Sequence, residues 1–251
     1  MRLHATKDFW LAAMRADGPA LRAAVGEPDP ATPVPSCPDW TVADLTRHVG
    51  GILAWVGGFA GSGTAHPGER PSAPELAWPE TLAWFDETFA RTLARLDALD
   101  PEQPAWNWAP QAKRAAFWHR RLAHELSVHR WDAQMAVGRA EPVEAKLAAD
   151  GVSEVLDTWL PSGRRRGPTD RHGVLHLQAT DAHQEWFVRL RGPGVALLDT
   201  ATILDTDDHH ARVGAAGTAS DLLLTLWGRT RPEDVLTVTG DAGLLDSLRT
   251  G

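Results

Sequence analysis

The stretch TVADLTRHVGGILAWVGGF, residues 41–59, decides the fold of this chain. Thr41 and Asp44 have the form of a capping box, in which a hydroxyl and a carboxylate three residues apart satisfy each other's backbone N–H groups. Apolar side chains then recur at helical spacing: Leu45, Val49, Ile52, Val56 and Phe59 form one stripe. A helix with a single apolar stripe needs neighbours to cover it. His48 sits inside that stripe, three residues after Leu45 and four before Ile52, so it points inward rather than to water.

The neighbours are present on both sides. A first helix is expected from Thr6 to Val25, with Trp10, Leu11, Met14 and Leu21 in register. The prolines of GEPDPATPVPSCPDW, residues 26–40, forbid its continuation. A Gly/Ser/Pro-rich loop over roughly 57–74 leads to a third helix that starts near Pro79 and buries Leu82, Phe85, Phe89, Leu93 and Leu96. A fourth helix runs from about Gln111 to Val137 and stops at Gly138, and a fifth covers about 143–160. Four long amphipathic helices joined by loops make a four-helix bundle.

After about residue 165 the pattern changes. HGVLHLQAT (172–180), QEWFVRLRG (184–192), TILDT (202–206) and DVLTVTG (234–240) read as strands. TASDLLLTLWG (218–228) and AGLLDSLRT (242–250) read as helices between them. The expected fold is therefore a helical domain over 1–160 followed by a small α+β domain over 165–251, with the arginine-rich segment 161–170 as boundary.

Bulk properties narrow the function. The chain has 251 residues, 43% of them hydrophobic, and no window approaches the roughly 18 apolar residues of a membrane span. The N-terminus lacks the apolar run of a secretory signal. One cysteine, Cys37, cannot form an intrachain disulfide, which fits a cytoplasmic location. Cys37 reads as structural, with no histidine base near it in sequence. A formal charge of −8 argues against nucleic acid or an anionic membrane as partner and leaves a small-molecule substrate. A monomer is the default. Lysine occurs only at Lys7, Lys113 and Lys146, and the Ala-, Gly-, Pro- and Arg-rich composition suggests a GC-rich bacterial genome.

The fourth helix contains AHELSVHRWDAQ, residues 123–134. At about 100° per residue, Glu125, His129 and Asp132 share a face with Leu122, Leu126 and Ala133. Glu125 and His129, one turn apart, converge on one point. A buried carboxylate needs a partner or a metal. One reading is a hydrogen-bonded core cluster or local ion pair. The other adds the inward His48: two imidazoles and one carboxylate, a three-ligand set that leaves a position for water or substrate. Asp132 then reads as support behind His129, or as the partner of an arginine from another helix. His119 and His124 lie further round the helix. Asp207–His210 reads as a solvated turn, with a second metal patch as its alternative.

CPDWTVADLTRHVGGILAW (37–55), HELSVHRWDAQ (124–134) and ASDLLLTLWGRTRPED (219–234), in that order, resemble the mycothiol-dependent maleylpyruvate isomerase family. The resemblance implies a DinB-like four-helix bundle carrying a divalent metal, usually zinc, followed by the family's C-terminal domain. It implies His48, Glu125 and His129 as ligands, and a catalytic arginine matched best by Arg229 in LWGRTR. A mundane alternative for Arg229 is satisfaction of the last carbonyls of the helix ended by Gly228. The resemblance also implies mycothiol, an actinobacterial thiol, as cosubstrate or cofactor. The expected function is metal- and thiol-dependent isomerisation or S-transfer, with His48 and Arg229 in the catalytic apparatus and Trp55 as the nearest pocket aromatic among Trp40, Trp55, Trp106, Trp108 and Trp131. Alternatives are another metal-dependent hydrolase, lyase or cyclase on the same scaffold, and a non-catalytic binding protein. Two histidines and a carboxylate suit zinc but also accept nickel or iron(II).

Overall fold

A computed structural model describes residues 6–63, 66–67, 69–198 and 211–251. The chain forms two compact units, Met1–Glu141 and Pro142–Gly251.

The first unit holds four long helices, α1 (Lys7–Gly26), α2 (Val42–Phe59), α3 (Trp78–Ala98) and α4 (Ala116–Ala136). The capping box expected at the start of α2 is present: Thr41 Oγ1 accepts from Asp44 N at 3.2 Å and Asp44 Oδ2 accepts from Thr41 N at 2.9 Å. These hydrogen bonds from Thr41 hold the Asp44 carboxyl below its ordinary pKa. Thr41→Ala is expected to lower stability by about 1 kcal/mol, read as a shift in the urea midpoint with the slope unchanged.

α1 packs chiefly on α4, and α2 on α3. The second contact depends on small residues. A Cβ at Gly57 would lie 2.4 Å from Thr92 Oγ1, and that hydroxyl donates to Leu53 O at 2.9 Å across the interface. Gly57, and Gly50 where a Cβ would lie 2.4 Å from the Trp84 ring, therefore serve close approach of two helices.

α4 starts at Ala116, five residues later than the expected Gln111. Backbone bonds Ala105 N to Lys113 O and Ala115 N to Gln103 O, with Asn107 Nδ2 to Ala112 O, fold 103–115 into a closed loop before the helix begins. These non-local bonds leave no mark on apolar periodicity.

The second unit places the fifth helix, α5 (Ala145–Glu154), with the sheet rather than in a domain over 1–160. α5 packs on α6 (Ala219–Leu226), and Val143 N is held by Ser220 Oγ at 3.0 Å. Its apolar face is covered by α6, so the division between units falls at 141/142 instead of within 161–170. A π-helical turn, Val155–Trp159, continues α5.

The strands β1 (His172–Ala179), β2 (Gln184–Arg191), β3 (Gly194–Leu198), β4 (Arg212–Gly217) and β5 (Thr237–Gly240) form one sheet in the order β3-β2-β1-β4-β5. Neighbours are antiparallel except β1 and β4, which pair in parallel with Leu177 opposite Ala215. Of DVLTVTG, only the last four residues are strand; Pro232–Val235 form a helical turn, α7, and Gly243–Asp246 form α8. TILDT and Asp207–His210 lie outside the described residues. No helix among the described residues is long and apolar enough to cross a membrane.

Candidate metal centre

α4 is buried on nearly every side: from Trp118 to Ala133 all residues but Arg120 are buried. Such a helix tolerates charge only where charges are paired. Its sequence supplies the pairs at one-turn spacing. Arg121 Nη2 donates to Glu125 Oε2 at 3.0 Å, Glu125 Oε1 faces His129 Nε2 at 3.4 Å, and His129 Nδ1 lies 2.8 Å from Asp132 Oδ2. Ser36, from the loop before α2, closes the series by donating to Asp132 Oδ1 at 2.6 Å.

α2 brings His48 to the same oxygen, with Nε2 at 3.2 Å from Glu125 Oε1. Side-chain exposure is 26% for His48, 10% for Glu125, 9% for His129 and 0% for Asp132. His48 is thus the most exposed of the four. One ligand atom each from His48, Glu125 and His129 lies within 4.8 Å of the others. Two facing imidazole nitrogens and one carboxylate oxygen, with the second imidazole oriented by a carboxylate, form a donor set that suits a divalent cation. A cleft of about 540 Å³ opens beside His48, lined by Trp40, Asp44, Arg47, Arg70 and others.

The electrostatics follow from these contacts. Burial disfavours the Glu125 charge, but the His129 charge and hydrogen bond, the His48 hydrogen bond and Arg121 hold its pKa well below the ordinary value. Burial also opposes a charged His129. Glu125 and the Asp132 hydrogen bond outweigh it and raise that imidazole to about 9. With no cation, a proton on His129 takes the place of positive charge between two carboxylates. A histidine raised on folding stabilises fully below its unfolded value of about 6.5, and that contribution is lost as pH rises through about 9. Chelator-stripped protein is therefore expected to melt at progressively lower temperature between about pH 6.5 and about pH 9; a flat profile would contradict the pairing.

All four α4 and α2 residues singled out from the sequence, His48, Glu125, His129 and Asp132, are brought together. His119 and His124 are buried, and His119 is engaged by backbone: Nδ1 is 2.9 Å from Ala115 O and Nε2 is 2.8 Å from Leu96 O.

Trp55 is a correction. It stands in an aromatic cluster with Phe59, Trp106 and Trp118, at ring distances of 5.0, 6.0 and 5.8 Å. The indole against the histidines is Trp40, 4.6 Å from His48 and 6.1 Å from His129. A tight turn puts it there: Asp39 has φ 71°, Trp40 N bonds Cys37 O, and Val34 N bonds Trp40 O. Cys37 is buried with its sulfur within 4.8 Å of a His129 nitrogen and an Asp132 oxygen. It has no histidine near in sequence, but it has one in space.

Arg229 lies in the second unit, where Nη1 donates to Trp227 O at 2.8 Å just beyond α6. This is the helix-end arrangement weighed from the sequence, with Gly228 at φ 68°. Sequence reading missed Arg121 and Ser36. The first was findable, one turn before Glu125; the second, in a proline-rich loop, carried no signal.

Two family models match the chain. Residues 11–134 match the mycothiol maleylpyruvate isomerase N-terminal domain, and residues 146–247 match the MDMPI C-terminal domain. The fold is similar to a crystal structure of a mutant of the mycothiol-dependent maleylpyruvate isomerase, at TM-score 0.64 and 12% identity over 94% of this chain and 93% of that one. A second crystal structure of that enzyme gives TM-score 0.59 and 14% identity over the same shares. No curated protein matches the chain.

Proposed function

The chain belongs to the mycothiol maleylpyruvate isomerase family, and from that membership we propose a divalent-metal- and thiol-dependent enzyme acting on an electrophilic small molecule, by isomerisation or S-transfer. The observation that carries the reading is the convergence of His48, Glu125 and His129 beside an open cleft. These three residues would hold the cation. When bound, it supplies positive charge and an open position at which a thiol, with an ordinary pKa near 8.5, is deprotonated at neutral pH. Zinc suits the donor set, and mycothiol is the thiol that the family names.

The protein's own groups do the rest. Asp132 and Ser36 hold the His129 ring so that Nε2 faces the site. Trp40 covers the two imidazoles with an apolar surface and keeps water from that side. In the isomerase form, the thiol sulfur adds to one carbon of a conjugated double bond, the resulting single bond rotates, and the sulfur leaves. In the transferase form the new carbon–sulfur bond is retained and the adjacent carbon takes up a proton, replacing the one the thiol lost. The site would lie in the cytoplasm, where thiol cofactors stay reduced.

The test is turnover of maleylpyruvate by metal-replete protein with and without mycothiol, repeated after chelation. Expected is isomerisation that needs both. Turnover that survives omission of the thiol would point to a hydrolase, lyase or cyclase on the same scaffold. Stoichiometric metal with no turnover of any added electrophile would favour a binding protein.

A further inference from the structure

Glu125 shows an asymmetry that the ligand set alone does not require. Its two oxygens have different partners: Oε1 faces His48 Nε2 and His129 Nε2, whereas Oε2 accepts from Arg121 Nη2 at 3.0 Å. Arg121 is itself buried, with a side chain 5% exposed, and it sits one turn before Glu125 on the same helix. The guanidinium offers donors and no acceptor, so Oε2 is held by a charged donor. Its charge also opposes any cation that approaches from that side.

We propose that Arg121 is a positioning residue that restricts Glu125 to a single metal-facing oxygen. The proposal rests on the reading of His48, Glu125 and His129 as ligands. A carboxylate with both oxygens free can bind a cation in either a one-oxygen or a two-oxygen mode. With Oε2 held, the protein offers two nitrogens and one oxygen, and the remaining positions stay open for thiol and substrate. With Arg121 replaced, Oε2 is released, and the second oxygen can occupy a position that the incoming sulfur needs.

Cobalt(II) added to metal-free protein is the probe, because its visible absorption is intense at low coordination number and weak at higher coordination. Expected is an intense spectrum for the wild type and a several-fold weaker one for Arg121→Met and Arg121→Gln, with cobalt still bound and circular dichroism unchanged. Arg121→Lys keeps a charged donor on the oxygen and is expected to recover most of the wild-type intensity. Identical spectra in folded wild type and Arg121→Met would overturn the proposal. So would a two-oxygen carboxylate in the X-ray absorption spectrum of the wild-type cobalt protein, which decides the matter even where neither neutral variant folds. A wild type that takes up no cobalt would fail at the ligand reading itself, a result distinct from unchanged variants.

Discussion

Glu125→Gln is expected to abolish stoichiometric metal binding and to destabilise the metal-free protein by about 3–5 kcal/mol. The amide keeps the shape of the side chain but removes the charge that three neighbours share. Arg121 at 5% exposure and His129 at 9% would then face a neutral group in a buried helix. Truncating one partner of a buried ion pair weakens the compensation of the charges that faced it, and that penalty exceeds the worth of the pair. His48→Ala provides the contrast. It removes a ligand of equal importance, but its side chain is 26% exposed and leaves Glu125 still paired with Arg121 and His129. Metal should be lost in both variants, whereas the large fall in urea stability should belong to Glu125→Gln alone. Metal content after reconstitution and chemical denaturation after chelation measure the two effects separately. A Glu125→Gln protein with full metal and an unshifted midpoint would remove Glu125 from the centre.

Asp132→Asn should weaken metal affinity by about 10–100-fold without removing a ligand, as expected for a carboxylate that orients a ligating histidine. Asp132 is fully buried, held by Ser36 on one oxygen and facing His129 Nδ1 with the other. That contact fixes which ring nitrogen carries the proton and leaves Nε2 as the free lone pair. An asparagine fills the same space, but it can present its amide N–H to Nδ1 and reverse the tautomer. Competition with a chromophoric chelator reads the affinity directly. A change of less than about twofold would mean that Asp132 only packs. Ser36→Ala should give a smaller loss in the same assay, since Asp132 keeps its charge.

Much of the bundle was legible. The capping box at Thr41, the glycine stop at Gly138 and most of the α2 stripe are local features and lie where local chemistry puts them, although Leu53 rather than Ile52 is the buried residue in the middle of the stripe. The centre was half legible. Glu125, His129 and Asp132 share a face by helical arithmetic, and His48 betrays itself by interrupting an apolar stripe. Arg121 is on the same helix at the same spacing and was open to the same reasoning. Trp40, Ser36 and Cys37 were not, because a loop's prolines show where a helix ends and carry no periodicity to say where the loop returns.

The amino-acid pattern by itself determined the four long helices, most of the faces they bury, and that three polar side chains on α4 share one side. These depend on contacts between residues three or four apart, and such spacing is fixed once the helix exists. Only the tertiary structure decided that Trp40 rather than Trp55 lies against the histidines, that α5 belongs with α6, and that Ser36 stands behind Asp132. Each depends on a loop path or on a pairing between distant elements, where many arrangements share one apolar pattern and packing selects among them.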